Sequence, residues 1–211
     1  MKGLEMISND EEDTTQQNAE EADLILQGLD GEEPPLLGLV GDINEESAQQ
    51  LALALLTLND GKILQPDKEA LEGLPDIEFF ISSTGGSVSD MFTVYDLMRL
   101  VKPNRPIATF GYGKIYSAAV LLLAAGTKGK RFIAQHARLM IHHCATNASG
   151  PHPTIRCNYN ELKVVEEMMV QEIAKNSQLS VGEIYNMMSG NTDKYFSADE
   201  ALEMGLVDGI I

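Results

Sequence analysis

The sequence is poor in positive charge: 15 Lys and Arg stand against 32 Asp and Glu, for a formal net charge of -17. Phosphate recognition needs clustered Lys and Arg, so this composition argues against a nucleic-acid partner. Cysteine is scarce as well. Cys144 and Cys157 are too few for a disulfide framework or a zinc site, which fits a reducing compartment and implies no metal. Long apolar runs are also missing. The opening MKGLEMISNDEEDTT lacks a signal-peptide core, and the longest greasy segment, Ala118 to Ala125, is far short of a bilayer span. The chain therefore reads as cytosolic, with no membrane partner. No internal repeat is visible.

What is present suits one substantial core: 211 residues, 44% of them hydrophobic. The negative charge is uneven, because residues 1–33 hold eleven Asp or Glu, one Lys and no aromatic residue. Such a segment cannot bury enough surface to offset its ordering entropy, so residues 1–35 read as an acidic, disordered leader. The prolines of EEPP mark the boundary, and residues 36–211 form the folded domain.

In that domain LLGLVGDI reads as a short buried strand. Asn44 caps a helix carrying Ala48, Leu51, Ala52, Leu55 and Leu56 at helical spacing, and Gly61 stops it. Gly61 to Pro75 reads as a surface loop with at most a helical turn. Then strand and helix alternate through DIEFFISSTGG, VSDMFTVYDLMRLV, PIATFGY and the helix after Ser117, the pattern of an α/β fold with a parallel sheet. KRFIA and ARLMIHH add short strands, and Leu162, Val165, Met169 and Ile173 mark one stripe of a long helix.

Three features carry candidate chemistry. Ser117 heads an apolar helix, where a serine is either an ordinary cap or a nucleophile on a strand-to-helix turn. His142 ends the strand ARLMIH and is followed by His143; an imidazole can take a proton from serine and return it to a leaving amine near neutral pH. Asp193 is a suitable third group to orient such an imidazole, but spacing does not prefer it over Asp199 or Asp208. The glycine pair Gly85–Gly86 closes a strand, where the missing Cβ atoms admit close approach to the backbone N–H.

The segments ISSTGGSV, VYDLMRLVKP, YSAAVLLLAAGTKGKRF, ARLMIHH and DKYFSADEALEMGLVDGI, in that order, resemble the proteolytic subunit of the caseinolytic (Clp) protease, and the likeness spans roughly residues 36–211. The resemblance implies a crotonase-like α/β fold with a protruding helical handle at about residues 145–176. It assigns Ser117 as nucleophile, selects His142 over His143 as base, and selects Asp193 because it stands two residues before the aromatic Tyr195. The backbone N–H groups of Gly86 and Ala118 become the oxyanion donors. The implied activity is hydrolysis of unfolded polypeptides inside two stacked heptameric rings fed by an AAA+ unfoldase. The chain itself would need no cofactor, since ATP would be used by that partner.

Departures from the family pattern are Thr84 for the proline before the glycine pair, Cys144 for the proline after His143, and two extra residues in FGYGKIYS. Lys114, Ile115 and Tyr116 replace small residues before the serine, which implies an altered S1 pocket. A maturation protease acting without an ATPase, or a catalytically weak subunit of a mixed ring, is the alternative reading. An acyl-CoA hydratase or isomerase on the same fold would need a different acid/base pair.

Overall fold

A computed structural model describes residues 33–63, 65–189 and 192–211. The acidic leader therefore lies outside the described residues up to residue 32. Pro35 is already buried, and its carbonyl accepts a hydrogen bond from the Glu78 N–H at 2.9 Å.

Strands β1 (Leu36–Ile43), β2 (Ile77–Gly86) and β3 (Ile107–Tyr116) pair in parallel from one edge of a sheet inward. The order continues through β4 (Arg131–Ile133) to β7 (Gly209–Ile210), also parallel. β1 departs from the expected buried strand: Leu37, Leu39 and Ile43 are buried, but Leu36 and Val40 are 52% and 75% exposed. Only one face of β1 is covered, and its side chains alternate between the two faces. In β2, Ile77, Phe79 and Ile81 point fully into the core.

The helix after β1, α1 (Glu45–Leu58), begins at the expected Asn44 cap. Asn44 Oδ1 accepts from the Ser47 N–H, and Ser47 Oγ accepts from the Asn44 N–H, each at 3.0 Å. Its buried face uses Ala54 and Leu58 where the spacing suggested Ala52 and Leu56. The loop from Gly61 contains one short helix, α2 (Lys68–Leu71), capped by Asp67. Helix α3 (Val88–Val101) buries Met91, Val94, Tyr95, Met98 and Val101 at helical spacing. Helix α4 (Ala118–Ala124) is apolar all round because it is buried all round, packed on β2 and β3 under α3 and α5 (His152–Lys175). Full burial of each of its three leucines contributes about 1.5–3 kcal/mol.

The C-terminal ends of α4 and α5 meet two cations. Arg131, 4% exposed, donates to the Asn176 carbonyl at 2.5 Å and the Ala124 carbonyl at 3.3 Å. Lys102 Nζ donates to the Ala125 carbonyl at 2.7 Å. Orphan carbonyls at helix ends are thereby satisfied and their negative dipole ends offset. Arg131 also grips Asp208 through two bonds of 2.7 and 2.8 Å, which holds that carboxyl below the usual carboxylate range.

The chain after α5 adds α6 (Val181–Met188), β6 (Lys194–Phe196) and α7 (Ala198–Glu203), none of which the apolar spacing had marked. Ser180 and Ser197 open the two helices, each with a capping box closed by a glutamate three residues on.

Candidate active site

The site is built by a fork in β3. Its first half, Thr109–Gly111, pairs with β4, and its second half, Lys114–Tyr116, pairs with β5 (Arg138–Ile141). At the fork the register against β2 jumps from Ile81 opposite Gly111 to Ser83 opposite Ile115, so β3 accommodates two more residues than its partner. FGYGKIYS thus carries a bulge, with Gly113 at φ 61° and Tyr112 stacked on Phe80 at 5.0 Å between ring centres.

Beyond the fork, register sets the geometry. Tyr116 lies opposite Met140 in the parallel pair, and Met140 lies opposite Tyr195 in the antiparallel pair of β5 with β6. The last antiparallel partners are Ile141 and Lys194, so one step further brings His142 level with Asp193. Ser117 follows Tyr116, and its N–H donates to the Met140 carbonyl at 2.8 Å. Three strand ends thus bring Ser117, His142 and Asp193 to one edge. Of the three carboxylates that spacing left open, Asp208 is engaged with Arg131 and Asp199 sits in the first turn of α7.

Ser117 is not an ordinary helix cap. Its side chain makes no capping hydrogen bond, and its backbone sits at φ 55°, ψ -124°. A non-glycine residue there is strained, which marks a sharp turn between strand and helix that presents the side chain outward. The hydroxyl Oγ instead lies 2.8 Å from His142 Nε2. On the other side of the ring, His142 Nδ1 is 3.8 Å from Asp193 Oδ1, within ion-pair reach but longer than a hydrogen bond. Catalytic hydrogen bonds are often loose without substrate and tighten in the complex.

The glycine pair is required by packing against the site itself. A Cβ on Gly85, at φ 84°, would stand 2.6 Å from the Tyr116 carbonyl and 2.7 Å from Ser117 Cβ. On Gly86 it would meet the Ile43 carbonyl at 2.1 Å. Gly86 lines the cleft that holds Ser117 and His142, and Ala118 is the first residue of α4, whose N–H has no partner within the helix.

That cleft, about 610 Å³, has an apolar side made by Val88, Cys144, Ala145, Leu162 and Val165, and a polar rim including Thr84, Ser87 and Glu161. The stripe expected on α5 therefore divides. Leu162 and Val165 face the cleft, while Met169 and Ile173 reach the core. Lys114, Ile115 and Tyr116 are not among the residues that line this cleft. Ile115 is fully buried between strands, and Tyr116 packs edge-on against Tyr195 at 5.6 Å. Thr84, at the family's proline position, donates from Oγ1 to Asp42 Oδ1, tying β1 to β2 beside the glycines.

Two contributors had no sequence signal. Asp42 holds Thr84, and Glu166 of α5 accepts from the Cys144 N–H at 2.8 Å and lies 3.1 Å from His143 Nδ1. Burial, then the nearby Glu166, pushes the Cys144 thiol up to about 11, so it stays protonated beside the cleft. Among the described residues no group of three or more His, Cys, Asp or Glu is placed to hold a metal ion. Nor is any helix there long and apolar enough to cross a membrane.

Comparison with known proteins identifies the family. The Clp protease family model matches residues 33–211. ATP-dependent Clp protease proteolytic subunit 3 of Frankia casuarinae is 35% identical over 169 residues, covering 80% of this chain and 73% of that protein. With a family match over most of its length and a mixed, mainly parallel α/β fold, the chain belongs to the Clp protease family and is a serine-type peptidase.

Proposed function

We propose that Ser117, His142 and Asp193 are the catalytic residues of an endopeptidase that cleaves unfolded polypeptides. The observation that carries this is the 2.8 Å approach of His142 Nε2 to a serine hydroxyl that caps no helix. His142 takes the proton as Ser117 Oγ attacks the peptide carbonyl, and the same imidazole then protonates the leaving amine. Asp193 orients the ring and stabilises its cationic form. The N–H groups of Gly86 and Ala118 receive the oxyanion of the tetrahedral intermediate, a contribution of about 3–4 kcal/mol per donor in serine peptidases. Water then hydrolyses the acyl-enzyme by the same steps in reverse order.

The proposal extends to assembly. Before Met169 no residue of α5 is fully buried, and Ile155, Tyr159, Val164 and Met168 are exposed, as suits a handle between rings. Two stacked heptameric rings, a cytoplasmic setting and a partner AAA+ unfoldase that consumes ATP complete the reading, with the acidic leader preceding the catalytic domain. Native mass spectrometry of the purified chain, paired with cleavage of a short fluorogenic peptide and an unstructured protein, tests it. Fourteen copies with peptide turnover are expected. A monomer that cleaves both substrates equally would contradict the chamber.

A further inference from the structure

We propose that Glu166 is a positioning residue of the peptidase site: its carboxylate ties the segment after His142 to α5 and thereby fixes where the imidazole meets Ser117. This rests on the reading of Ser117 and His142 as nucleophile and base.

The strand that carries the base ends one residue too early to hold it. β5 stops at Ile141, and from His142 to Asn147 the chain has no regular structure before α5 begins at His152. Register with β6 also ends at Ile141 opposite Lys194. The next anchor along the chain is Glu166. Its Oε2 accepts the Cys144 N–H at 2.8 Å and lies 3.1 Å from His143 Nδ1, so two groups converge on one oxygen. The Glu166 side chain is 17% exposed, and a charged acceptor in such a sheltered position makes a stronger hydrogen bond than a neutral one.

The geometry makes the clamp specific. Glu166 follows Val165 on the helix, and Val165 and Leu162 line the cleft. The same length of α5 therefore supplies one wall of the cleft and the anchor for the loop opposite it. Cys144, held by its backbone, lines that cleft. Neither Glu166 nor Asp42 touches the reacting atoms. Glu166 acts through the backbone two residues after the base.

The test compares wild type, Glu166→Ala and Glu166→Gln for turnover of a short fluorogenic peptide, with thermal melting beside it. In Glu166→Ala kcat should fall roughly tenfold to hundredfold while KM stays within about twofold, because misplacing a catalytic group weakens the transition state more than binding. Glu166→Gln should keep most of the wild-type kcat, since its amide oxygen still accepts the Cys144 N–H. Wild-type kcat in Glu166→Ala overturns the proposal, and so do equal losses in the two variants with their melting points unchanged. Amide hydrogen exchange in the wild type covers the case in which Glu166→Ala does not fold. The Cys144 amide should be protected relative to Ala145 and Thr146, and equal exchange at all three overturns the clamp. Absence of wild-type turnover, with no labelling of Ser117 by a fluorophosphonate, overturns the peptidase-site reading and is distinct from either result.

Discussion

His142 is placed asymmetrically in the site: Nε2 is 2.8 Å from Ser117 Oγ, whereas Nδ1 is 3.8 Å from Asp193 Oδ1. In the proposed roles, the contact that would accept the proton is formed and the orienting one is open. Asp193→Asn should therefore lower kcat less than loss of the serine. Steady-state peptide kinetics on both variants check the ranking, and an equal or larger loss from Asp193→Asn would show that the contact closes fully in the working enzyme.

Ser117→Ala should abolish peptide cleavage, a loss of about 10⁶-fold in kcat, and leave the fold intact. The strained turn at φ 55° is already adopted by a residue with a Cβ, and no capping bond is lost. Residual turnover and a thermal melt measure the two halves of the expectation.

His142→Ala should be as damaging as the serine change, and the double variant should lose nothing further, since members of such a set act as a unit. His143→Ala should cost much less, because His143 Nδ1 faces Glu166 at 3.1 Å and is only one of the two groups held there. Kinetics of the three variants decide this, and equal losses from the two histidine changes would leave the base unassigned.

Gly85→Ala should damage both folding and activity. The new Cβ would fall 2.6 Å from the Tyr116 carbonyl at a φ of 84°, so the Ser117 turn must shift. Melting temperature and kcat should fall together.

Asp208 should matter for acid stability. Arg131 holds its folded-state pKa below the ordinary value, so the stabilisation is present above about pH 4 and lost as pH falls through the folded pKa. Asp208→Asn leaves Arg131 buried without its partner, at a cost of about 3 kcal/mol or more near neutral pH. Denaturant unfolding at pH 7 and pH 3 should show a large gap from wild type that narrows in acid.

Much of the architecture was legible in local chemistry. Asn44 and the alternation of apolar strands and helices identified the central unit because caps and periodicity act within a few residues. β6 and β7 are three and two residues long, too short for any period to show. Ser117 and His142 could be named as candidates by residue type, but whether Ser117 capped its helix depended on a backbone turn that no spacing encodes. Spacing did not separate Asp193 from Asp199 and Asp208; the family motif singled it out, and register between β5 and β6 sets it beside His142. Glu166 and Asp42 were invisible because their partners lie 22 and 42 residues away. The bulky Lys114–Tyr116 segment pairs with β5 as strand, and of the three only Ile115 is buried in the core.

Ser117 as the nucleophile, activated by His142, is the proposed assignment on which the other roles rest. Incubation of the purified full chain with a fluorophosphonate probe, followed by mass spectrometry of the labelled peptide, tests it most directly. One adduct on Ser117, lost in His142→Ala, is the expected result. Peptide turnover that persists while Ser117 stays unlabelled, or an adduct on another serine, would contradict it.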